Sequence, residues 1–188
     1  MNTPNKLTII RIILAPVFLV FLLCDKVPYH YLLALIVFAV ASASDALDGH
    51  LARKYKLITN FGKFLDPLAD KILVFSALIA FIDMGFASSV AIIIMMGREF
   101  LVTSLRLVAS DNGTVIAASN LGKLKTAMTM ASIITVLCLL AFYEILPNFL
   151  NIDIALISNI LIWVSAVITL LSGAEYLWKN REHFSQDK

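Results

Sequence analysis

The stretch Ser44–Lys71 reads SDALDGHLARKYKLITNFGKFLDPLADK, and its reading decides the fold. Asp45 and Asp48 stand before a short basic connection, and Asp66 and Asp70 stand after it. The sequence on either side is almost uniformly apolar. A carboxylate in a membrane-like segment is costly, so four of them require a compensating partner. Oxygen-ligated divalent metal is the most economical one.

Asp45 and Asp48 are spaced i, i+3, and Asp66 and Asp70 are spaced i, i+4. On helices each pair therefore shares a face. The polar, basic run from Arg53 to Asn60 lets the two helices turn back on each other, so that the two faces converge. Four adjacent carboxylates repel one another when ionised. Two Mg²⁺ or Mn²⁺ ions, about 3.5–4 Å apart, balance that charge and suit in-line displacement at phosphorus. One carboxylate is then available to take a proton from an attacking hydroxyl. Gly49, Ala52 and Gly62 are small and leave room for close packing or for a ligand, and Arg53 is placed to reach a phosphate. The bland alternative is interfacial aspartates paired with Arg53, Lys54, Lys63 and Lys71, which suits any single one better than all four.

The rest of the chain frames this site in a membrane. Of its 188 residues 60% are hydrophobic, which exceeds the roughly half expected of a soluble domain. Mean hydropathy is +0.89. A net charge of +2, with no basic block, argues against nucleic-acid binding. Cys24 and Cys138 lie in apolar runs and read as small buried hydrophobes. The apolar run Leu7–Leu23 lacks a convincing cleavage site and reads as a retained first span. Six segments approach the ~20 apolar residues that a spanning helix needs: roughly 7–24, 31–53, 61–83, 87–109, 121–143 and 152–178. The expected fold is all-α, one polytopic domain over residues 1–188 with six transmembrane helices. Basic residues gather at one set of ends (Lys6, Arg11, Arg53, Lys54, Lys56, Lys63, Lys123, Lys125, Lys179 and Arg181). By the positive-inside rule both termini are cytoplasmic, with the aspartates near the cytoplasmic ends of the second and third spans. The stretch before the first span, NTPNKLTIIRIILAP, is expected either to lie along the interface or simply to begin that span.

Asp45, Asp48-Gly49, Ala52-Arg53, Gly62, Asp66 and Asp70 match D-x2-D-G-x2-A-R-x8-G-x3-D-x3-D without a departure. Eight fixed positions at fixed spacing make a specific signal, and the chain resembles the CDP-alcohol phosphatidyltransferase family. The resemblance implies a six-helix integral membrane enzyme, usually a homodimer, that uses Mg²⁺ or Mn²⁺ and transfers a phosphatidyl-type group from a CDP-linked donor to an alcohol, releasing CMP. It implies Asp45, Asp48 and Asp66 as metal ligands. Asp70 is implied as general base and as a further contact to the metal site. It places Gly49, Ala52, Arg53 and Gly62 against the cytidine diphosphate of CDP-diacylglycerol, with Asn5, Thr8 and Arg11 as further donor contacts. The family resemblance and the lack of a targeting segment also imply a bacterial plasma membrane.

Three further stretches, PNKLTIIR (Pro4–Arg11), GREFLVTSLR (Gly97–Arg106) and NLGKLKTA (Asn120–Ala127), resemble the branch of the family whose acceptor is glycerol 3-phosphate. An anionic acceptor needs cations, and Arg98, Arg106, Lys123 and Lys125 are the candidates. Lys123 and Lys125 also fit ordinary positive-inside anchoring. Arg98 and Arg106 sit in a more apolar stretch and are costlier to leave idle, although Glu99 is placed to neutralise Arg98. Trp163 reads as a packing residue, and Tyr176 and Trp178 as an interfacial belt. His30, His50 and His183 are not at metal-ligand spacing. The rivals are a family member with another acceptor (phosphatidylglycerol, serine or inositol) and, from a different class, a divalent-cation or proton-coupled transporter. A transporter should carry carboxylates through the membrane depth, whereas these cluster at one end.

Overall fold

The computed structural model describes residues 3–55, 60–111, 119–147 and 152–181, with side chains described for 8–44, 68–109, 119–147 and 152–181. These residues form helices and connecting turns, with no strand among them. The helices are α1 (Thr3–Leu23), α2 (His30–Tyr55), α3 (Asn60–Asp83), α4 (Ser89–Asp111), α5 (Asn120–Ile145) and α6 (Ile154–Lys179). Each falls within a few residues of its expected segment. The N-terminal stretch is the beginning of α1, which runs unbroken through Pro16. Among the described residues, α5 and α6 are long and apolar enough to cross a bilayer, and α1 and α2 carry the shorter apolar stretches Thr8–Leu23 and His30–Ser44.

Two compact units emerge. The first comprises Met1–Met84 and Ile133–Ile154, and the second Gly85–Ser132 and Ala155–Lys188. The continuous helix α5 thus contributes one half to each.

In the first unit α1 packs along both α2 and α3, which also touch each other. Helical periodicity sets the buried faces: Ala15, Phe18 and Leu22 on α1, Ala34, Phe38 and Ala41 on α2, and Ala69, Leu73, Ala77 and Phe81 on α3. Alanines let the backbones approach, and the Phe18 and Phe38 rings fill the space between α1 and α2, 5.4 Å apart. Ile133, Val136, Leu137, Leu140 and Ala141 of α5 are buried as well. The first turn of α2 has no acidic residue of its own. Glu144 of α5 supplies the charge instead, its Oε2 accepting from the Tyr31 N–H at 3.1 Å. The same carboxylate lies 3.8 Å from His30, whose Nδ1 meets the Phe21 carbonyl at 3.2 Å. Gly85 closes the end of α3 at φ +75°, where a side chain would be strained.

The second unit is organised by α6. Ser158, Ile162, Ser165, Thr169, Ser172 and Tyr176 recur at alternating spacings of three and four, and all are buried. This stripe is mostly hydroxylic on an otherwise strongly apolar helix. The Ser132 and Ser165 hydroxyls meet at 3.0 Å, tying α5 to α6. Hydroxyl pairing between helices is a common link where apolar side chains face lipid. The outward face carries Leu156, Ile160, Val164, Val167, Leu170 and Leu171.

Three sequence readings are corrected here. Cys138 is exposed, because it lies on the outward side of α5, away from buried Leu137 and Ala141. Trp163 is 39% exposed on the outward face of α6. Tyr176 is no interfacial anchor: it is only 3% exposed, because the buried stripe extends to it.

Candidate active site

The eight motif positions lie on helical backbone. Asp45, Asp48, Gly49, Ala52 and Arg53 belong to α2, and Gly62, Asp66 and Asp70 to α3. The i, i+3 and i, i+4 spacings therefore act as helical spacings, and residues 56–59 join the two helices. The side chains of Asp45, Asp48, Gly49, Ala52, Arg53, Gly62 and Asp66 lie outside the described residues, as does that of Asn5. Asp70 is described: it is exposed and engaged by neighbours, directly after buried Ala69. Among the described residues, no three His, Cys, Asp or Glu side chains gather as a metal site. On α1, Thr8 and Arg11 are both buried and engaged by neighbours.

The acceptor candidates come together. Arg98 and Arg106 of α4 and Lys123 and Lys125 of α5 line one cavity of about 580 Å³. That volume falls in the range of small-molecule clefts. Glu99, Thr103 and Thr126 line it too, adding a carboxylate and two hydroxyls. The N-terminus of α5 adds positive character, and a serine marks where it begins. Ser119 caps the helix, its hydroxyl accepting from the Gly122 N–H at 3.1 Å. Gly122 and Lys123, in the first turn, also line the cavity, so the positive end of the helix dipole is directed there.

The four cations differ in their surroundings. Arg98 Nη1 donates to Glu99 Oε1 at 3.0 Å, and Lys125 Nζ donates to the same oxygen. These side chains are mostly withdrawn from solvent, with 9%, 19% and 12% exposure for Arg98, Glu99 and Lys125. Arg106 and Lys123 are exposed, and neither has a carboxylate within 4.0 Å among the described residues. Counted over these five groups, four cations and one anion leave a net positive cavity. The arrangement suits a small, doubly charged anion such as a phosphate monoester.

The residues behind the cavity escaped the sequence reading. Arg98 Nη2 donates to Ser172 Oγ at 2.7 Å. The Arg106 guanidinium lies 5.5 Å from the centre of the Tyr176 ring. The available signal was the spacing of Ser158, Ser165, Thr169, Ser172 and Tyr176 along α6.

Comparison with known proteins identifies the family. The family model of CDP-alcohol phosphatidyltransferases matches residues 1–171. A Bacillus subtilis protein named CDP-diacylglycerol–glycerol-3-phosphate 3-phosphatidyltransferase is 41% identical, over 96% of each chain. Proteins of the same name are 33% identical in Rickettsia bellii, over 97% of each chain, and 37% identical in Haemophilus influenzae, over 94% of this chain and 91% of the relative. A match over most of the chain, the complete aspartate pattern and near full-length relatives lead to one conclusion: this chain belongs to the CDP-alcohol phosphatidyltransferase family.

Proposed function

We propose that this chain transfers the phosphatidyl group of CDP-diacylglycerol to glycerol 3-phosphate, giving phosphatidylglycerophosphate and CMP. The observation that carries the acceptor assignment is the cavity lined by Arg98, Arg106, Lys123 and Lys125. A neutral or zwitterionic alcohol such as inositol or serine has no use for four cations. The shared name of the relatives points to the same acceptor.

Asp45, Asp48, Asp66 and Asp70 would hold two Mg²⁺ or Mn²⁺ ions. The fit rests on the chemistry of the donor set: four hard oxygen ligands, paired at helical spacing on α2 and α3. When bound, the ions supply charge neutralisation at the donor's diphosphate. Gly49, Ala52, Arg53 and Gly62, with Asn5, Thr8 and Arg11, take the CDP-diacylglycerol side. The cavity cations hold the acceptor's phosphate and leave its 1-hydroxyl as nucleophile. A carboxylate oxygen of Asp70 takes the hydroxyl proton. The oxygen forms a bond to the phosphorus that bears diacylglycerol, the bond from that phosphorus to the bridging oxygen breaks, and CMP departs with the electron pair. Catalysis comes from positioning and charge complementarity.

The chain acts as one integral membrane domain of six spans, with both termini cytoplasmic, as a homodimer in a bacterial plasma membrane. The apolar outward face of α6, the span-length α5 and α6, and the charge asymmetry of the sequence support this reading. The shared helix α5 supports a single domain.

The test is CMP release by purified protein in detergent, with CDP-diacylglycerol, Mg²⁺ and each candidate alcohol in turn. Release only with glycerol 3-phosphate, abolished in Asp70→Asn and by chelation, is the expected result. Release with another alcohol would overturn the acceptor assignment. Metal flux into sealed liposomes without CMP release would favour transport.

A further inference from the structure

No residue of α6 lines the cationic cavity, yet α6 touches both of its arginines. Three positions within about one helical turn do this, each by different chemistry. Ser172 accepts a hydrogen bond from Arg98 Nη2 at 2.7 Å. Gly173 makes space: a Cβ there would stand 2.9 Å from Arg98 Cγ and 3.7 Å from Nε. Cγ is near the root of the side chain, so a swing of the guanidinium alone cannot relieve that clash. Tyr176, buried, offers its ring to the Arg106 guanidinium at 5.5 Å.

Glycine inside a helix is unfavourable, and Gly173 is the one glycine of α6. A glycine is warranted here because the Arg98 stem lies directly on the helix. Ser172 and Tyr176 are one helical turn apart, so they share a face. Arginine is rich in rotamers, and an unheld guanidinium must be ordered when an anion binds. Arg98, held by a hydroxyl and a fitted backbone, and Arg106, held by a ring, each lose less freedom when an anion binds.

We propose that Ser172, Gly173 and Tyr176 form a positioning template on α6 that presets Arg98 and Arg106 for a phosphate monoester, and so sets affinity for the phosphorylated acceptor. These residues act through the arginines rather than on substrate. The proposal rests on the assignment of the cavity to the acceptor's phosphate.

The test is steady-state kinetics of Ser172→Ala, Gly173→Ala, Tyr176→Leu and Tyr176→Phe, beside Arg98→Ala and Arg106→Ala. Inorganic phosphate serves as a competitive probe, and a thermal melt verifies folding. Gly173→Ala and Ser172→Ala are expected to raise KM for glycerol 3-phosphate about tenfold. The inhibition constant of phosphate should rise in parallel, with KM for CDP-diacylglycerol unchanged. Tyr176→Leu should raise the acceptor KM about three- to tenfold, and the ring-retaining Tyr176→Phe far less. If the arginine variants raise the acceptor KM but folded template variants do not, the template is refuted and the cavity assignment stands. A rise in both KM values together also refutes it. If the arginine variants themselves leave the acceptor KM unchanged, the cavity assignment falls and the template with it. Should Gly173→Ala fail to fold, Ser172→Ala and Tyr176→Leu decide.

Discussion

Replacing Glu99 by Gln removes a negative charge from among four positive ones without changing the side chain's size. In the parent, one carboxylate oxygen accepts from both Arg98 and Lys125, and the three side chains retain only 9–19% exposure. Breaking a buried charge pair by removing one partner costs about 3–5 kcal/mol. The residual exposure, and the amide oxygen that Gln retains, reduce this to about 2–3 kcal/mol. For a chain of this size about 1 kcal/mol shifts Tm by about 2–4 °C, so Glu99→Gln should melt about 4–12 °C lower. An anion in the cavity replaces the lost charge. The variant should therefore bind inorganic phosphate more tightly than the parent, and a tenfold lower Kd adds about 1.4 kcal/mol more to the variant than to the parent at saturating phosphate, so the two melts should draw closer as phosphate is added. The assay is tryptophan fluorescence of detergent-solubilised protein, heated with and without phosphate. A variant melting within about 1 °C of the parent under both conditions would refute the reasoning, since the carboxylate would then not be balancing Arg98 and Lys125.

Arg106→Ala should raise KM for glycerol 3-phosphate about 10- to 100-fold, the worth of a charge-assisted hydrogen bond, with little change for the lipid donor. An equal effect on both substrates in steady-state kinetics would remove Arg106 from the acceptor pocket. Glu144→Ala should lose the charge that α5 lends to the first turn of α2. We expect a loss of about 1 kcal/mol, read as a melting shift of about 2–4 °C with both KM values intact.

The helices were legible because apolar length is a property of the linear sequence, and it placed all six within a few residues of their observed bounds. Arg98, Arg106, Lys123 and Lys125 were legible for a different reason: their stretches resemble those of relatives with an anionic acceptor, which needs cations, and the structure brings the four to one cavity. What held them was not. Ser and Thr in apolar helices often bond their own backbone, as Thr169 does to the Ser165 carbonyl at 2.7 Å. A hydroxyl in the sequence therefore does not announce whether it serves its own helix or, like Ser172, another. Glycine is equally silent, since Gly173 earns its place only through the Arg98 stem lying against it. Tyr176 was misassigned because its neighbours Trp178 and Lys179 suggest an interface, while the periodicity of the α6 stripe buries it. Hydropathy ranks residues one at a time, and these roles are set by partners far away in sequence.

The division of α5 between two cores has a consequence for biosynthesis. The helices carrying the four aspartates are complete once Asp83 has been added, yet their core includes Ile133, Val136, Leu137, Leu140 and Ala141. From Met84 to Ile145 the ribosome adds about 60 residues, which takes about 3–12 s at about 5–20 residues per second. Throughout that interval α1, α2 and α3 wait in an unsealed state. Order of synthesis thus leaves the aspartate-bearing helices α2 and α3 without part of their core until the second half of one late helix arrives.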